Sequence, residues 1–407
     1  MKFLATFTAW PYGGGMKMFI VMMASFMAAV AISIDAILPA LEVIGRDLGV
    51  TDVNHTQYIL VLIFAGMAVG QLICGPLSDA EGRKKVLYGG LILYAIGSLV
   101  SLMAPSMPVM LAGRLLQGLG VAGPYVSAVA IVRDKYSGED MARIMSLVMM
   151  IFVAVPAIAP ALGQLILFYG TWHYIFALLF VVAVGMMVWI YFGLEETLPP
   201  EKRIPFRIAD MAAGFREVLS TRVTAGYMVC MGLIFGGFVG YLNSTRQIFQ
   251  DMFQQGAMFS AWFGGLAIIF GASSLLNSKI VQKFGMRPLC RMAAVAIIVS
   301  SALFLVYCQT VGPSLVAFIV YVSVPYFAMG LMFGNLNAIA MEPMGHIAGI
   351  ASAVTGAVSS IISLCLGTYI GQMYNGTLTP VTLGFMGVAA AALLVMMQAD
   401  RPKRVLT

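Results

Sequence analysis

Apolar residues run along this chain in twelve long blocks, separated by short polar intervals. A helix of about 20 apolar residues crosses the hydrocarbon core of a membrane, so each block predicts one transmembrane helix. The pattern therefore predicts an all-α integral membrane protein. The predicted spans cover residues 18–40, 56–75, 86–104, 108–131, 144–168, 173–193, 223–245, 259–279, 289–309, 314–338, 347–373 and 380–397.

The longest polar interval, residues 195–222, divides the spans into six and six. The two groups also echo each other, because "GRKKVLYGG" (82–90) opens the third span and "GMRPLCRMA" (285–293) opens the ninth. Paired six-helix repeats in parallel orientation are typical of transporters, with the substrate near the midplane between them. We therefore expect an N-terminal six-helix bundle over 1–194, a linker over 195–222 and a C-terminal six-helix bundle over 223–407.

The basic residues favour one side of this arrangement. Of the 23 Lys and Arg residues, nearly all fall at the two chain ends or in intervals on the same side. Arg46 and Arg246 fall on the opposite side, and Arg114 lies within the fourth span. Because cytoplasmic loops carry the excess of positive charge, we expect both termini and the linker in the cytoplasm.

Composition excludes several other classes of protein. Hydrophobic residues make up 61% of the chain and charged residues 10%, whereas a soluble domain has about 25% charged residues. The bases are spread over many intervals, so they orient the chain in the bilayer and do not indicate nucleic-acid binding. The cysteines and histidines show neither metal-ligand spacing nor a catalytic constellation. A membrane enzyme is thus disfavoured, and so is a sensor, because the linker is too short for an output domain.

Two polar segments after spans two and four combine glycine with charged residues. In "GPLSDAEGRKKVL" (75–87), the glycines allow tight turns, and Asp79 can form an ion pair with Arg83. The segment "IVRDKY" (131–136) supplies a further acid and base. Such pairs can latch two bundles in one state. The predicted gating residues in these segments are Gly75, Asp79, Gly82, Arg83, Lys84, Arg133 and Asp134.

The fifth span contains "VPAIAPALGQLI" (155–166), with Pro156, Pro160 and Gly163. Prolines inside a span free backbone groups and bend the helix, and a glycine lets a neighbouring helix approach closely. We include these three residues in the predicted gate. A kink without a gating role is the alternative interpretation.

Asp35, in "MAAVAISIDAILPAL" (27–41), is the one acid placed deep within a predicted span. An acid at the centre of a membrane helix costs about 2.5–3.5 kcal/mol on insertion scales. A carboxyl group that titrates in a cavity would justify that cost by coupling transport to protons. Arg114 is expected to tune or partner it. Two alternatives stay open, a purely structural Asp35–Arg114 pair and an Arg114 that snorkels to a span end.

These motifs resemble those of the major facilitator superfamily, in the charged loop after span two, in Arg-x-x-Gln-Gly of span four and in Pro-x-x-x-Pro-x-x-Gly of span five. The chain is most similar to the Bcr/CflA-type drug-resistance transporters, with "SIDAILPAL" in span one, "WHYIF" (172–176), "ETLPPEKR" (196–203) and "HIAGIASAVTG" (346–356). The chain departs from that branch at Ala36 and Ile37, where an aromatic residue is usual, and in "YLNSTRQIF" (241–249).

The resemblance implies a twelve-helix exporter of drugs or related amphipathic metabolites in the bacterial inner membrane. It would be monomeric, driven by the proton gradient and free of cofactors and metals. The alternative substrate is an anionic metabolite, such as a siderophore or an amino-acid derivative, which Arg114 and Arg246 would bind. Substrate contacts are expected from spans one, four, seven and ten. The predicted lining residues are Met27, Val30, Ile34, Ile37, Tyr125, Tyr227, Phe235, Tyr241, Asn243, Arg246, Tyr326, Phe333, Asn335 and Asn337.

Overall fold

The computed structural model describes residues 14–50, 53–136, 138–203, 208–255 and 258–401. Within these ranges the chain forms twelve long helices and no β-strand, as the apolar blocks predict. The helices are α1 Gly14–Asp35, α2 Tyr58–Glu81, α3 Arg83–Leu102, α4 Met107–Lys135, α5 Gly138–Tyr169, α6 His173–Gly193, α7 Arg222–Arg246, α8 Phe259–Phe284, α9 Met286–Thr310, α10 Leu315–Met341, α11 Ala348–Gln372 and α12 Thr379–Ala399.

Most of these helices are suited to a bilayer. In the described part of the chain, eleven helical segments are long and apolar enough to cross a membrane, and Ile158–Tyr169 of α5 is a shorter apolar helix. Exposed aromatic pairs mark opposite ends of two adjacent helices, Phe168 with Tyr169 and Tyr191 with Phe192. Aromatic side chains concentrate at membrane interfaces. The prediction of a twelve-helix, all-α membrane protein is confirmed.

Short elements occupy several helix ends. A 3₁₀ turn, Leu38–Ala40, and a short helix, Leu41–Asp47, follow α1, and a second 3₁₀ turn, Val53–Gln57, precedes α2. The helix Ile208–Ser220 lies between α6 and α7, and the π-helical turn Gln247–Met252 extends α7. The first predicted span, 18–40, is therefore not one continuous helix.

Helix packing in the first six helices is repeated in the last six. In the N-terminal half (α1–α6), α3 packs on α4 and α6, α2 on α4, and α1 on α4 and α5. In the C-terminal half (α7–α12), α9 packs on α10 and α12, α8 on α10, and α7 on α10 and α11. The halves contact each other chiefly through α2 with α11 and α5 with α8.

Glycines set the close spacing around α4. A Cβ atom on Gly118 would lie 2.1 Å from the carbonyl oxygen of Ile63 in α2. A Cβ atom on Gly120 would lie 2.3 Å from the backbone nitrogen of Tyr94 in α3. Small residues at such contacts let membrane helices gain van der Waals packing where lipid provides no hydrophobic drive. The glycine-rich segment of α4 therefore serves helix packing on two sides.

The fold has two faces at the helix ends. We call the face where α1 begins and α12 ends the terminal face, and the other the distal face. The charged loop between α2 and α3 lies at the terminal face, and the short helix Leu41–Asp47 lies at the distal face.

Candidate functional site

Asp35 occupies a break in the first membrane helix. Regular α1 ends at this residue, and a 3₁₀ turn containing Pro39 follows before the chain becomes helical again at Leu41. The side chain is only 5% exposed. Among the residues that the structure describes, its carboxyl group has no hydrogen-bond or ion-pair partner. Asp35 is therefore a buried, unpaired acid at a helix break.

Arg114 of α4 binds the backbone beside Asp35. Its Nη2 donates to the carbonyl of Ser33 at 2.8 Å, its Nε to the carbonyl of Ile59 at 2.9 Å and its Nη1 to Gln117 Oε1 at 2.7 Å. The last carbonyls of a helix lack intrahelical partners, and a cation near them is favourable. Arg114 thus caps the broken end of α1, and no Asp35–Arg114 ion pair forms between these described side chains.

A buried polar network extends this cap across the N-terminal half. Gln117 Nε2 donates to Ser98 Oγ at 2.8 Å, and Ser33 Oγ lies 2.5 Å from Tyr94 Oη. The residues come from α1, α3 and α4, and all four are fully buried. Satisfied buried networks of this kind rigidify the helices that they join. The network therefore fixes the backbone from which Asp35 projects.

The proline–glycine segment of α5 contacts the same break. A Cβ atom on Gly163 would lie 1.9 Å from the carbonyl oxygen of Ala36. Pro160 is buried one turn before it, whereas the side chain of Pro156 lies outside the described residues. Glycine is therefore required where α5 meets the residue that follows Asp35.

An aromatic cluster connects the two halves. The rings of Phe235 and Phe238 in α7 lie 5.7 Å apart, and Phe238 meets Tyr326 of α10 edge-on at 5.5 Å. Phe235 also approaches Phe64 of α2 at 6.0 Å and Phe333 of α10 at 6.3 Å. Apolar and aromatic walls with few polar groups are typical of sites for small molecules. Phe235, Tyr326 and Phe333, three predicted lining residues, are thus brought together.

Two tyrosines place hydroxyl groups at this cluster. The rings of Tyr241 and Tyr326 meet edge-on at 5.7 Å, and both hydroxyls are buried without a formed hydrogen bond. Tyr326 also lies within electrostatic reach of the Asp35 carboxyl group. The acid of the N-terminal half and Tyr326 of the C-terminal half are therefore close enough to interact electrostatically.

Other predicted lining residues lie elsewhere. Tyr227 donates to Asp400 at the terminal face at 2.9 Å, and Asn243 donates to the carbonyl of Gly367 in α11 at 3.1 Å. Asn335 exchanges amide hydrogen bonds with Asn277 of α8. These three side chains hold helices of the C-terminal half together and do not line the aromatic cluster. Tyr125 is half-buried and Asn337 is exposed. Four further predicted lining residues are packed in the core of the N-terminal half: Met27, Val30, Ile34 and Ile37.

The position of Arg246 near the outer end of the seventh span predicts a partly hydrated side chain. In the structure it lies at the distal face and is only 3% exposed. It forms an ion pair with Glu42 of the short helix Leu41–Asp47. It also donates to Gln250 Oε1 at 3.1 Å, and its Nη2 lies 3.6 Å from Asp251 Oδ1. Because two acids already balance its charge, Arg246 is not an open site for an anion in this conformation.

Amide side chains continue this contact between the halves. Gln247 Nε2 donates to Asn54 Oδ1 at 2.7 Å, and Gln372 Nε2 donates to the backbone carbonyl of Asn54 at 2.9 Å. Gln57 Nε2 donates to the carbonyl of Gly371 at 3.2 Å. We call this set the distal seal. Its members are Glu42, Asn54, Gln57, Arg246, Gln247 and Gln372.

At the terminal face, Arg83 is buried in an ion-pair cluster. Its Nη1 lies 2.6 Å from Asp79 Oδ1, and its Nε lies 2.8 Å from Asp134 Oδ2. The carboxylate of Glu196 accepts the backbone N–H groups of Arg83 and Lys84 at 3.0 and 3.1 Å. Partial burial alone would raise the pKa of Glu196, but these N–H groups and those of the residues that follow it hold that pKa below its ordinary value. Glu196 thus caps the start of α3.

Gly82 is the residue immediately before the capped helix α3. Its φ angle is +102°, and a Cβ atom there would lie 2.6 Å from Glu196 Oε2. Gly75 faces Ala353 of α11 across the contact between the halves, and Asp79 lies close to Gly349 at the start of α11. Arg133 is exposed. The predicted gating residues of the two charged segments therefore fall mainly in an internal cluster and at the α2–α11 contact, whereas Gly163 of the predicted gate lies at the break in α1.

The C-terminal half carries an equivalent cluster that the motifs alone do not reveal. Arg287, near the start of α9, lies 2.8 Å from Glu342 Oε2 and 3.1 Å from Asp400 Oδ1. The other carboxylate oxygen of Asp400 lies 2.6 Å from Arg291 Nη2. Gly285 has φ of +79°. The signal in the sequence was the "GMRPLCR" repeat of the first glycine–arginine motif.

The chain is similar to known proteins in both sequence and fold. Residues 18–368 match the family model described as Major Facilitator Superfamily. The uncharacterized MFS-type transporter YdgK of Bacillus subtilis is 33% identical over 351 residues, which cover 84% of each chain. A bicyclomycin resistance protein homolog of Haemophilus influenzae is 28% identical over 348 residues, covering 85% of this chain and 87% of the relative.

Among solved structures, the crystal structure of a D-xylose-proton symporter superposes with a TM-score of 0.70. The alignment covers 93% of this chain and 97% of the symporter, at 15% sequence identity. Identity at that level establishes a shared fold alone.

Proposed function

The chain belongs to the Major Facilitator Superfamily, and from this premise we propose that it exports small amphipathic molecules in exchange for protons. The chain is a membrane transporter and not an enzyme, as its relatives and its fold show. The resemblance to drug-resistance transporters of the Bcr/CflA type is confirmed by a relative described as a bicyclomycin resistance protein homolog.

The observation that carries the proposal is the unpaired carboxyl group of Asp35. It is buried at a helix break, and it lies within electrostatic reach of Tyr326 in the aromatic cluster that joins the halves. A charge that costs several kcal/mol in this setting needs a function that uses both of its protonation states. We assign that function to proton coupling. Asp35 would be protonated from outside and would release its proton when a substrate takes its place inside.

Alternating access follows from the two-half architecture. The N-terminal and C-terminal halves would rock against each other as bodies around the aromatic cluster. The distal seal closes one face, and the α2–α11 contact near Gly75 lies toward the other. The linker and both termini would lie in the cytoplasm of a bacterial cell, so the distal face is the outer face. We propose that one chain suffices, with no cofactor beyond the proton gradient.

Charge balance favours a neutral or cationic substrate over an anionic one. Both arginines that could bind an anion are engaged, Arg114 by backbone carbonyls and Arg246 by two acids. Asp35 keeps an uncompensated carboxyl group, and the aromatic faces of the cluster attract organic cations. The anionic alternative would need Arg246 to exchange its acidic partners for the substrate.

Reconstituted vesicles test this function. Chloramphenicol, bicyclomycin and tetraphenylphosphonium represent neutral and cationic probes, and a matched set of carboxylates represents anions. We expect a pH gradient to drive accumulation of at least one neutral or cationic probe, and we expect a proton ionophore to abolish it. Accumulation of carboxylates alone would support the anionic alternative. Accumulation that is unchanged in the presence of the ionophore would contradict proton coupling.

A further inference from the structure

Three buried hydroxyl groups lead from the distal face toward Asp35. Thr245 and Tyr241 are one turn apart on α7, so their side chains share a helix face, and Tyr326 of α10 meets Tyr241 edge-on at 5.7 Å. All three side chains are at most 3% exposed. Their hydroxyls approach one another, yet none forms a hydrogen bond of normal geometry.

Unpartnered buried hydroxyls are costly, because leaving a buried polar group unsatisfied costs about 1–3 kcal/mol. Buried polar atoms are normally paired, and each exception calls for a reason. Phenylalanine or valine would fill the same space without that cost. Other buried tyrosines in this chain are paired, as Tyr321 of α10 is with Ser301 Oγ at 3.1 Å. The three hydroxyls therefore have a use that packing does not supply.

We propose that Thr245, Tyr241 and Tyr326 form a proton path from the distal face to Asp35. The path deepens the proposed function and rests on it. A hydroxyl group can accept one proton while it donates another. A hydronium ion that reaches Thr245 from the distal face gives it a proton and becomes water. Thr245 then gives its own proton to Tyr241, Tyr241 to Tyr326, and Tyr326 to the Asp35 carboxylate. Each hydroxyl ends as it began, and one proton has moved.

The path explains why Asp35 lies in one half while the hydroxyl groups that would deliver its proton lie in the other half. Tyr326 is the last hydroxyl before Asp35 and lies within electrostatic reach of it, and a gap longer than a hydrogen bond would be bridged by water. When the halves separate at the terminal face, Asp35 moves away from Tyr326. A proton already on Asp35 then cannot return by the same route. Thr245, Tyr241 and Tyr326 are thus positioning residues that set how fast and from which side Asp35 is protonated.

The groups that surround the path allow this transfer. Near the backbone that carries Asp35, Tyr94 of α3 contacts Ser33 Oγ and Arg114 of α4 binds the Ser33 carbonyl, while Tyr326 of α10 lies within electrostatic reach of the carboxyl group. Arg114 is held by backbone carbonyls. At the distal end, Arg246 follows Thr245, and its charge is matched by two acids. The cation at the distal end of the path is therefore compensated, whereas Arg114 is bound by neutral partners.

The test follows protonation of Asp35 directly and needs no substrate. The protein is reconstituted with its distal face outward, the outside is acidified rapidly, and the infrared band of the protonated carboxyl group is followed. The band is assigned by its loss in Asp35→Asn. We expect Tyr326→Phe and Tyr241→Phe to slow its appearance at least tenfold. Thr245→Val should slow it as well, and Thr245→Ser should restore it.

Tyr321→Phe is the matched control, because it removes a paired tyrosine hydroxyl from the same helix as Tyr326. Its rate should equal that of the unchanged protein. Wild-type rates in Tyr326→Phe and Tyr241→Phe, with unchanged thermal unfolding, would overturn the path while leaving Asp35 as the proton site. A carboxyl band that persists in Asp35→Asn would instead overturn the proposed function on which the path rests.

Discussion

At the scale of single residues, Asp35 and Arg114 divide two tasks between them. Arg114 provides three hydrogen bonds to the backbone and to Gln117, and so it holds the broken end of α1. Asp35 keeps a carboxyl group that none of these bonds engages. A rigid backbone with a free acid is the arrangement that a titrating group in a membrane requires, because the acid can change charge without unfolding its support.

Arg114→Met should destabilise the protein. It leaves the carbonyls of Ser33 and Ile59 with one partner fewer in a buried site, which costs about 1–3 kcal/mol for each group left unsatisfied. Arg114→Lys should recover part of the loss, because it keeps the charge but not the planar fork that reaches two carbonyls. Thermal unfolding in detergent measures the stability of the three proteins, which should decrease from wild type to Arg114→Lys to Arg114→Met. Equal stability of all three proteins would contradict the capping role.

Arg246→Ala should leave transport of a neutral or cationic probe within a few-fold of wild type. The side chain is already matched by Glu42 and Asp251, and no bond to the probe is lost. If a carboxylate substrate pairs with Arg246, its loss should cost about 2–5 kcal/mol, or on the order of 30-fold or more in affinity. Binding assays with both probe classes decide between the two results, with membrane insertion checked in parallel.

At the scale of elements, ends and breaks of helices carry most of the chemistry. The break in α1 presents Asp35, the start of α3 is capped by Glu196, and the π-helical turn after α7 presents Gln247 to the distal seal. Helix ends have free backbone groups that bind charges, so polar residues gather there. The regular middle of each helix is left to packing.

The cap on α3 should depend on pH. Because the pKa of Glu196 is lowered in the folded protein, its stabilisation is complete above the ordinary carboxyl range, near pH 4.3. It is lost as the pH falls through the lower, folded pKa. Glu196→Gln should remove this part of the pH dependence of thermal unfolding. A variant whose pH profile matches wild type at all acidic values would show that the carboxylate is not the cap.

The sequence anticipated the elements better than their contacts. Hydropathy locates membrane helices because span length is set by the bilayer, and the Gly82–Arg83 motif located the terminal cluster. The inward face of a membrane helix is harder to predict, because lipid-facing sides are as apolar as the core. The sequence predicts Tyr227 and Asn335 as lining residues, and the structure shows that both form hydrogen bonds within the C-terminal half. The partners in the distal seal are 193 to 318 residues apart, and only the fold brings them together.

At the scale of the whole molecule, two repeats of one helix arrangement carry matching clusters at the terminal face. Arg83 with Asp134, and Glu196 at the same helix start, correspond to Arg287 with Glu342 and Asp400. The ion pairs of each cluster lie within one half, so they hold that half rigid and leave the contact between halves free to change. Rigid halves around a central acid are what alternating access requires.

The orientation of the molecule is testable with reporters. The excess of basic residues predicts that the terminal face is cytoplasmic. A reporter enzyme that works only in the cytoplasm should therefore be active when it is fused after Arg203 and inactive when it is fused after Asp251. A reporter enzyme that works only outside the cytoplasm should show the opposite activities at these two sites. The reverse pattern of activities would invert the molecule and with it the direction of the proton path.

The role of Asp35 is the central claim, and one comparison in vesicles tests it most directly. Wild type and Asp35→Asn are reconstituted together with a probe that wild type accumulates. Asparagine keeps the shape of the side chain and removes its titration. We predict that the variant still exchanges the probe across vesicles without a gradient but loses all accumulation driven by a pH gradient. Gradient-driven accumulation that persists in Asp35→Asn would contradict the account.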